Sequence, residues 1–147
     1  MVVSGGGSTK EVRMRRIPRI SAWMTAFPWH LDADTPVSEA RRFMQEHQIH
    51  HVPITGIDQE LLGVADLATL PLGSHEVVAG FARMVPILNA TMRIDEVLQV
   101  MAKGHHPLVL ITHQQRLAGI FTWTDVCRLF AEHLRKPFAP SGGGDVA

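Results

Sequence analysis

Apolar residues along this chain recur at two alternating spacings. Val37, Ala40, Phe43, Met44 and His47 lie at helical spacing on one face. Thr35-Pro36 opens that helix, with Thr as N-cap, Pro at the first helical position and Glu39 in the positive first turn. The pattern then shortens. Residues 49–55 are β-branched-rich and read as a strand, 56–60 as a turn and 61–65 as a second strand. A short helix begins near Asp66 and is stopped by Pro71. The series then runs again: a helix over 93–103 with Ile94, Val97, Leu98 and Met101 inward, strands over 108–112 and 117–121 around a turn, and a helix over 124–134 striped by Val126, Leu129, Phe130 and His133.

The recurrence is a duplication. Leu31 and Leu88, Glu39 and Glu96, and Met44 and Met101 stand 57 positions apart, and after one residue is lost from a loop Gly63 and Gly119 stand 56 apart. Each unit of about 60 residues buries too little surface to be comfortable alone, so the halves are expected to pack through a pseudo-two-fold axis. Helix, hairpin and helix, used twice, predict an α+β fold. The division is an arm over 1–16, repeats over 17–75 and 76–136, and a tail over 137–147, with Gly/Ser runs near both ends.

Composition narrows the functional classes. The 147 residues are 46% hydrophobic and 19% charged, enough apolar material for a core. No run approaches the roughly 20 apolar residues of a bilayer-spanning helix, and the first residues form no signal core. Cys127 is the only cysteine, which excludes an internal disulfide or a thiolate metal cage and suits a cytoplasmic protein; its place in the last helix predicts a buried structural thiol. The zero net charge hides an asymmetry. Lys10, Arg13, Arg15, Arg16 and Arg19 oppose only Glu11, while from residue 20 onward nine cations face thirteen anions. The basic arm suits either plain solvation or contact with phosphates. Nine histidines raise the question of a metal, but His47, His50, His51, His105 and His106 complete no zinc pattern, and none is expected. No nucleophile elbow, P-loop or Rossmann glycine motif is present, so no enzyme is expected. Trp23, Phe27 and Trp29 read as core packing of the first segment, with Phe27 alone near a ligand.

The segments Trp23-Met24-Thr25-Ala26-Phe27-Pro28, Asp34-Thr35-Pro36-Val37-Ser38-Glu39-Ala40, Ile49-His50-His51-Val52-Pro53-Ile54 and Leu62-Gly63-Val64 resemble a CBS domain, named after cystathionine β-synthase. Leu117-Ala118-Gly119-Ile120-Phe121-Thr122-Trp123-Thr124-Asp125 is similar to the Gly-h-x-Thr-x-x-Asp signature of that family. The match spans about 17–136 and implies two β-α-β-β-α repeats forming a CBS pair. Such pairs often dimerise and bind adenine nucleotides between the copies. The resemblance therefore implies a stand-alone regulatory module without a catalytic cofactor, which binds AMP, ADP or ATP, forms a homodimer and signals by conformational shift to an effector protein. A ligand-free scaffold, or nucleic-acid binding through the basic arm, are the alternative readings.

The residues also argue for a nucleotide in their own terms. An ionised carboxylate accepts both hydroxyls of a ribose, each such bond contributing about 1.5–3 kcal/mol. Asp125 at a helix start, with Thr122 three residues earlier, is a plausible sugar grip, and equally a capping box that needs no ligand. By the family pattern Thr25, Ala26, Phe27 and Pro28 line the adenine, with Gly119, Ile120 and Thr124 around the signature. His50 and His51, flanked by Val52 and Pro53, resemble the phosphate-contacting basic pair of the γ subunit of AMP-activated protein kinase. Plain exposure at a strand edge also fits the two histidines. Histidine being a conditional cation, affinity for a phosphorylated ligand is expected to weaken from about pH 6 to 8. The other cleft departs from the signature: Asp66 and Thr69 stand where Thr and Asp are expected, and Pro107 and Leu108 replace the histidines. One working site per chain is expected, with Asp66 left to bond a sugar hydroxyl of something uncharged.

Overall fold

The computed structural model describes residues 16–136; the basic arm up to residue 15 and the tail from 137 lie outside the described residues. Ten elements follow one another: β1 (Thr25–Ala26), β2 (Leu31–Asp32), α1 (Val37–Glu46), β3 (His51–Thr55), β4 (Leu61–Asp66), β5 (Ile87–Asn89), α2 (Ile94–Gly104), β6 (Leu108–His113), β7 (Arg116–Thr122) and α3 (Trp123–Arg135). Short 3-10 turns cover Ile20–Ala22, Leu67–Thr69 and Val78–Phe81. The fold is α+β, built as two copies of one unit.

The duplication is visible bond by bond. In each half a short strand runs parallel to the first strand of an antiparallel hairpin, β2 against β3 and β5 against β6. Both hairpins carry a register shift at the same place, Ile54/Thr55 and Ile111/Thr112. Leu67 N–H donates to the His50 carbonyl, and Trp123 N–H to the Pro107 carbonyl, each at 2.9 Å.

The halves exchange their leading segments. β1 belongs by sequence to the first repeat, yet it pairs with β7, completing the sheet order β1-β7-β6-β5. Ile20 is fully buried in the core of the second repeat with Val97, Met101 and Phe121. In return, Val78 enters the core of the first with Val37, Ala40, Met44 and Ile54. A third cluster, Val64, Val85, Leu108 and Leu110, joins the two sheets.

Several local expectations shift. α1 starts at Val37, with Pro36 as an uncapped N-cap rather than Thr35. Tertiary bonds decide it: Val37 N–H donates to the Glu76 carbonyl and Val78 N–H to the Thr35 carbonyl, drawing the chain into an extended approach. β3 starts at His51, because Gln48 is left-handed (φ 56°) and Ile49 N–H still closes the helix on the Met44 carbonyl. The short helix after Asp66 is a single 3-10 turn, since only Leu67, Ala68 and Thr69 precede the extended Leu70. Cys127 is exposed, not buried, because α3 turns it away from the stripe that meets the sheet. His47 is likewise exposed, its ring lying 4.2 Å from that of Trp29. Trp23, Phe27 and Trp29 form no core cluster: they are 37%, 91% and 54% exposed, and Trp29 instead meets Phe43 and His47 at the outer face of α1.

Candidate functional site

The two halves leave a cleft where β1, the start of β3 and the β7–α3 junction converge. A cavity of about 490 Å³ is lined from the first repeat by Thr25, Gln48, Ile49, His50 and His51, and from the second by Pro107, Ile120, Thr122, Trp123, Thr124, Asp125 and Arg128. It adjoins a second cavity of about 330 Å³, which shares Thr25, Ile49, His51 and Ile120 and adds Ala26, Phe27, Pro28, Trp29 and Pro53.

Strand geometry sets which residues reach it. Successive side chains of a strand point to opposite faces, so His51 and Pro53 border the cleft while Val52 turns into the first core, where it is fully buried. Gly119 also stays off the cleft surface, covered by Met24, whose thioether occupies the space a Cβ would need. Val52 and Gly119 therefore support the site from behind, whereas the sequence reading placed them in it. Thr25, Ala26, Phe27, Pro28, His50, His51, Pro53, Ile120, Thr122, Thr124 and Asp125 all border one cavity or the other. Phe27 is the most exposed of them and holds a left-handed backbone (φ 50°), pinned by its N–H to the Ala118 carbonyl at 3.0 Å.

Asp125 is buried, only 8% exposed, at the first turn of α3 and carries a reciprocal cap. Its Oδ2 accepts from Thr122 N–H at 2.9 Å and from the Thr122 hydroxyl at 3.0 Å, while its own N–H donates to Thr122 Oγ1 at 3.2 Å. Oδ1 accepts from Arg128 Nη1 at 3.0 Å. A carboxylate offers about four acceptor places, so this one retains room only on Oδ1. The Arg128 side chain is 58% exposed. The sequence reading missed Arg128; its i,i+3 spacing from Asp125 on a helix was the available signal. It also missed Gln48, Ile49, Trp123, Pro107 and Trp29, which reach the cavities through tertiary packing.

Asp66, the counterpart of Thr122, behaves differently. Its Oδ1 accepts from His51 Nδ1 at 2.6 Å and from Arg83 Nη2 at 3.3 Å, and its Oδ2 from Arg83 Nε at 2.6 Å. Burial raises the pKa of this carboxyl, but the hydrogen bonds and charge of Arg83 and His51 outweigh burial and hold it below its ordinary value. Asp66 is thus engaged by the chain on both oxygens, with one acceptor place left on Oδ2, whereas the sequence reading left it to bond a sugar hydroxyl. Thr69 Oγ1 donates to the Asp66 carbonyl at 3.0 Å, a local turn contact.

Among the described residues, no three His, Cys, Asp or Glu side chains come together as metal ligands. Among the same residues, no helix is long and apolar enough to cross a membrane.

Comparisons agree with this architecture. The chain is 31% identical over 106 residues to Hypoxic response protein 1 of Mycobacterium tuberculosis, covering 66% of this chain and 74% of that protein. A crystal structure of Hypoxic Response Protein I with two coordinated zinc ions superposes with a TM-score of 0.63 at 25% identity, covering 75% of this chain and 97% of that one. The CBS domain pair of protein MJ0100, in complex with methylthioadenosine and S-adenosyl-L-methionine, gives a TM-score of 0.70 at 21% identity, over 80% of this chain and 98% of that one. CBSX2 in complex with AMP gives 0.67 at 16% identity, over 78% and 96%. The last two show likeness of fold alone. The CBS domain family matches over residues 20–70 and again over 79–132, one match on each repeat, and the chain belongs to that family as a tandem CBS pair.

Proposed function

We propose that this CBS pair is a regulatory module that holds an adenine nucleotide in the cleft between its repeats and passes the occupancy on to another protein. One observation carries the reading: the cleft sets Asp125 at a helix N-terminus of one repeat against His50 and His51 of the other. A sugar hydroxyl bonds the open place on Asp125 Oδ1. Its neighbour follows when Arg128 swings off that oxygen and turns to the phosphates, which His50 and His51 meet from the opposite side. The base lies along Thr25, Ala26, Phe27 and Pro28, between Ile49 and Ile120. A ligand touching both repeats binds best where they are correctly apposed, so it shifts the population toward that state and alters the surface a partner reads. No catalytic step is involved, and the setting is the cytoplasm. Adenosine compounds held by two proteins of this fold support the ligand class.

A second reading, a module that dimerises without a ligand, is favoured by an apolar groove of about 350 Å³ lined by Ile17, Trp23, Leu98, Val126, Leu129 and Phe130. Of the basic residues weighed for nucleic-acid binding, Arg19 donates to the Thr91 carbonyl, and residues 1–15 lie outside the described residues.

Thermal denaturation with AMP, ADP and ATP tests the reading. Ligand at a hundredfold excess over Kd stabilises by about 2.7 kcal/mol, a rise of several degrees. Wild type shifts by that amount, and Asp125→Asn, which keeps the size of the cap, does not. A wild-type protein unmoved by millimolar AMP, ADP and ATP rules out the ligand and leaves the dimerising module.

A further inference from the structure

His51 faces two ways. It borders both cavities of the cleft, yet its Nδ1 is already taken by Asp66. Asp66 ends β4 where Thr122 ends β7, but it makes no cap of its own. Arg83 holds it there. That residue stands 57 positions after Ala26. It bridges Val64 through paired 2.9 Å bonds, much as β1 lies along β7. The residues that would furnish the second cleft are thus joined in an internal chain, Arg83 to Asp66 to His51.

The chemistry of that chain is directional. An ionised carboxylate only accepts, so the 2.6 Å contact places the proton on His51 Nδ1. Nε2 is then the ring nitrogen left to meet a ligand; in the neutral ring it only accepts, and it donates to a phosphate when the ring takes its second proton. A carboxylate behind an imidazole fixes its tautomer and orientation and stabilises its cationic form, the arrangement that lets a histidine serve one partner with its far nitrogen. The other charged or titratable groups around the ring's cleft side are His50, Asp125 and Arg128.

We propose that Asp66, clamped by Arg83, is a positioning residue for His51, so that phosphate selectivity in the cleft is set by residues of the degenerate one. The ligand half of this proposal rests on the nucleotide reading above; the tautomer half stands without it.

The test pairs ring nitrogen NMR with calorimetry, using AMP and adenosine as probes. In ligand-free wild type at pH 8 the ¹⁵N shifts of His51 report a proton on Nδ1. In Asp66→Thr, which installs the residue found at the equivalent position 122, the ring passes to the Nε2–H form usual for free histidine. With calorimetry at about pH 6, where an imidazole takes its second proton, the ratio of AMP to adenosine affinity falls about tenfold, the size of one charge-assisted bond, while adenosine affinity stays within about twofold. Asp66→Asn preserves the shape should the threonine variant fold poorly; it also lowers the ratio and spares adenosine. A wild-type His51 protonated on Nε2, or equal losses for AMP and adenosine in the variants, overturns the proposal. If wild type binds neither compound, the nucleotide reading fails and the ring tautomer alone decides the positioning role.

Discussion

Asp125 has two duties, and the structural one can be read without any ligand. Its carboxylate closes the α3 cap on Thr122 and holds Arg128, whatever ligand the cleft takes. Asp125→Ala therefore costs about 1 kcal/mol of stability, the usual cost of a lost cap, read as a fall of a few degrees in Tm without any ligand. An unchanged Tm would mean that the cap contributes nothing. Asp66 yields a second expectation, on acidity. Its pKa is lowered in the folded state from 3.8, so it contributes stability that is fully present above that pH. The contribution is lost as pH falls through the lower folded value. Urea midpoints from about pH 5 down to about pH 2 should decline in wild type more steeply than in Asp66→Asn, and parallel curves would remove Asp66 from the acid transition. These two carboxylates also mark how far reading the chain reaches. The Thr122–Asp125 cap was legible because a helix start is local, three residues long. The His51–Asp66 pair was not, because it depends on hairpin register, and the register shift at Ile54/Thr55 makes a simple count along the strands unsafe.

Helices and hairpins announced themselves because each repeat spells its period twice. What escaped notice were elements too short to have a period. β1 and β2 are two residues each, defined by their partners and not by their own pattern. The missing helix in the first repeat has a local cause: Pro71 and Gly73 follow so closely after Asp66 that no second turn can propagate. The paired glycines of β4 and β7 illustrate how the same sequence position can carry different constraints. Gly63 has a φ of +137°, and a Cβ there would run into the backbone carbonyl of Arg83. At Gly119 the obstacle is only the flexible thioether of Met24, and the glycine is not among those with positive φ. Gly63→Ala should therefore destabilise by about 2 kcal/mol or more, with strain and backbone collision together, and Gly119→Ala by clearly less. Chemical denaturation of both variants gives the order, and equal losses would show that Met24 cannot yield.

The exchange of leading segments makes the two repeats a single body. Ile20 seals the second core, Val78 the first, and neither half keeps its own lid when cut at residue 75. That interdependence was only half legible: the duplication predicted that the halves pack together, but a linear division cannot show that each contributes a strand or a plug to the other. The same packing leaves one apolar face uncovered. Val126 and Leu129 of α3 meet Leu98 of α2 and Trp23 around the groove, while Phe130 remains 59% exposed and Leu134 45%. Helix stripes of this kind are ordinarily buried, and the self-complementary way to bury one is a two-fold contact with a second copy. Under the proposed homodimer Phe130 sits in that contact, and a charge introduced there must be desolvated without a partner. Phe130→Glu should weaken self-association at least about thirtyfold, the effect of an interface anchor contributing some 2 kcal/mol. Because Phe130 lies outside the residues bordering the cleft between the repeats, the substitution should leave the proposed ligand binding intact. Sedimentation velocity over a range of concentrations reads the first outcome, and calorimetry with AMP reads the second. A wild-type chain that sediments as a monomer at all concentrations would move the dimer off this face altogether, whereas a monomeric variant that still binds AMP would place recognition within one chain and assembly between two.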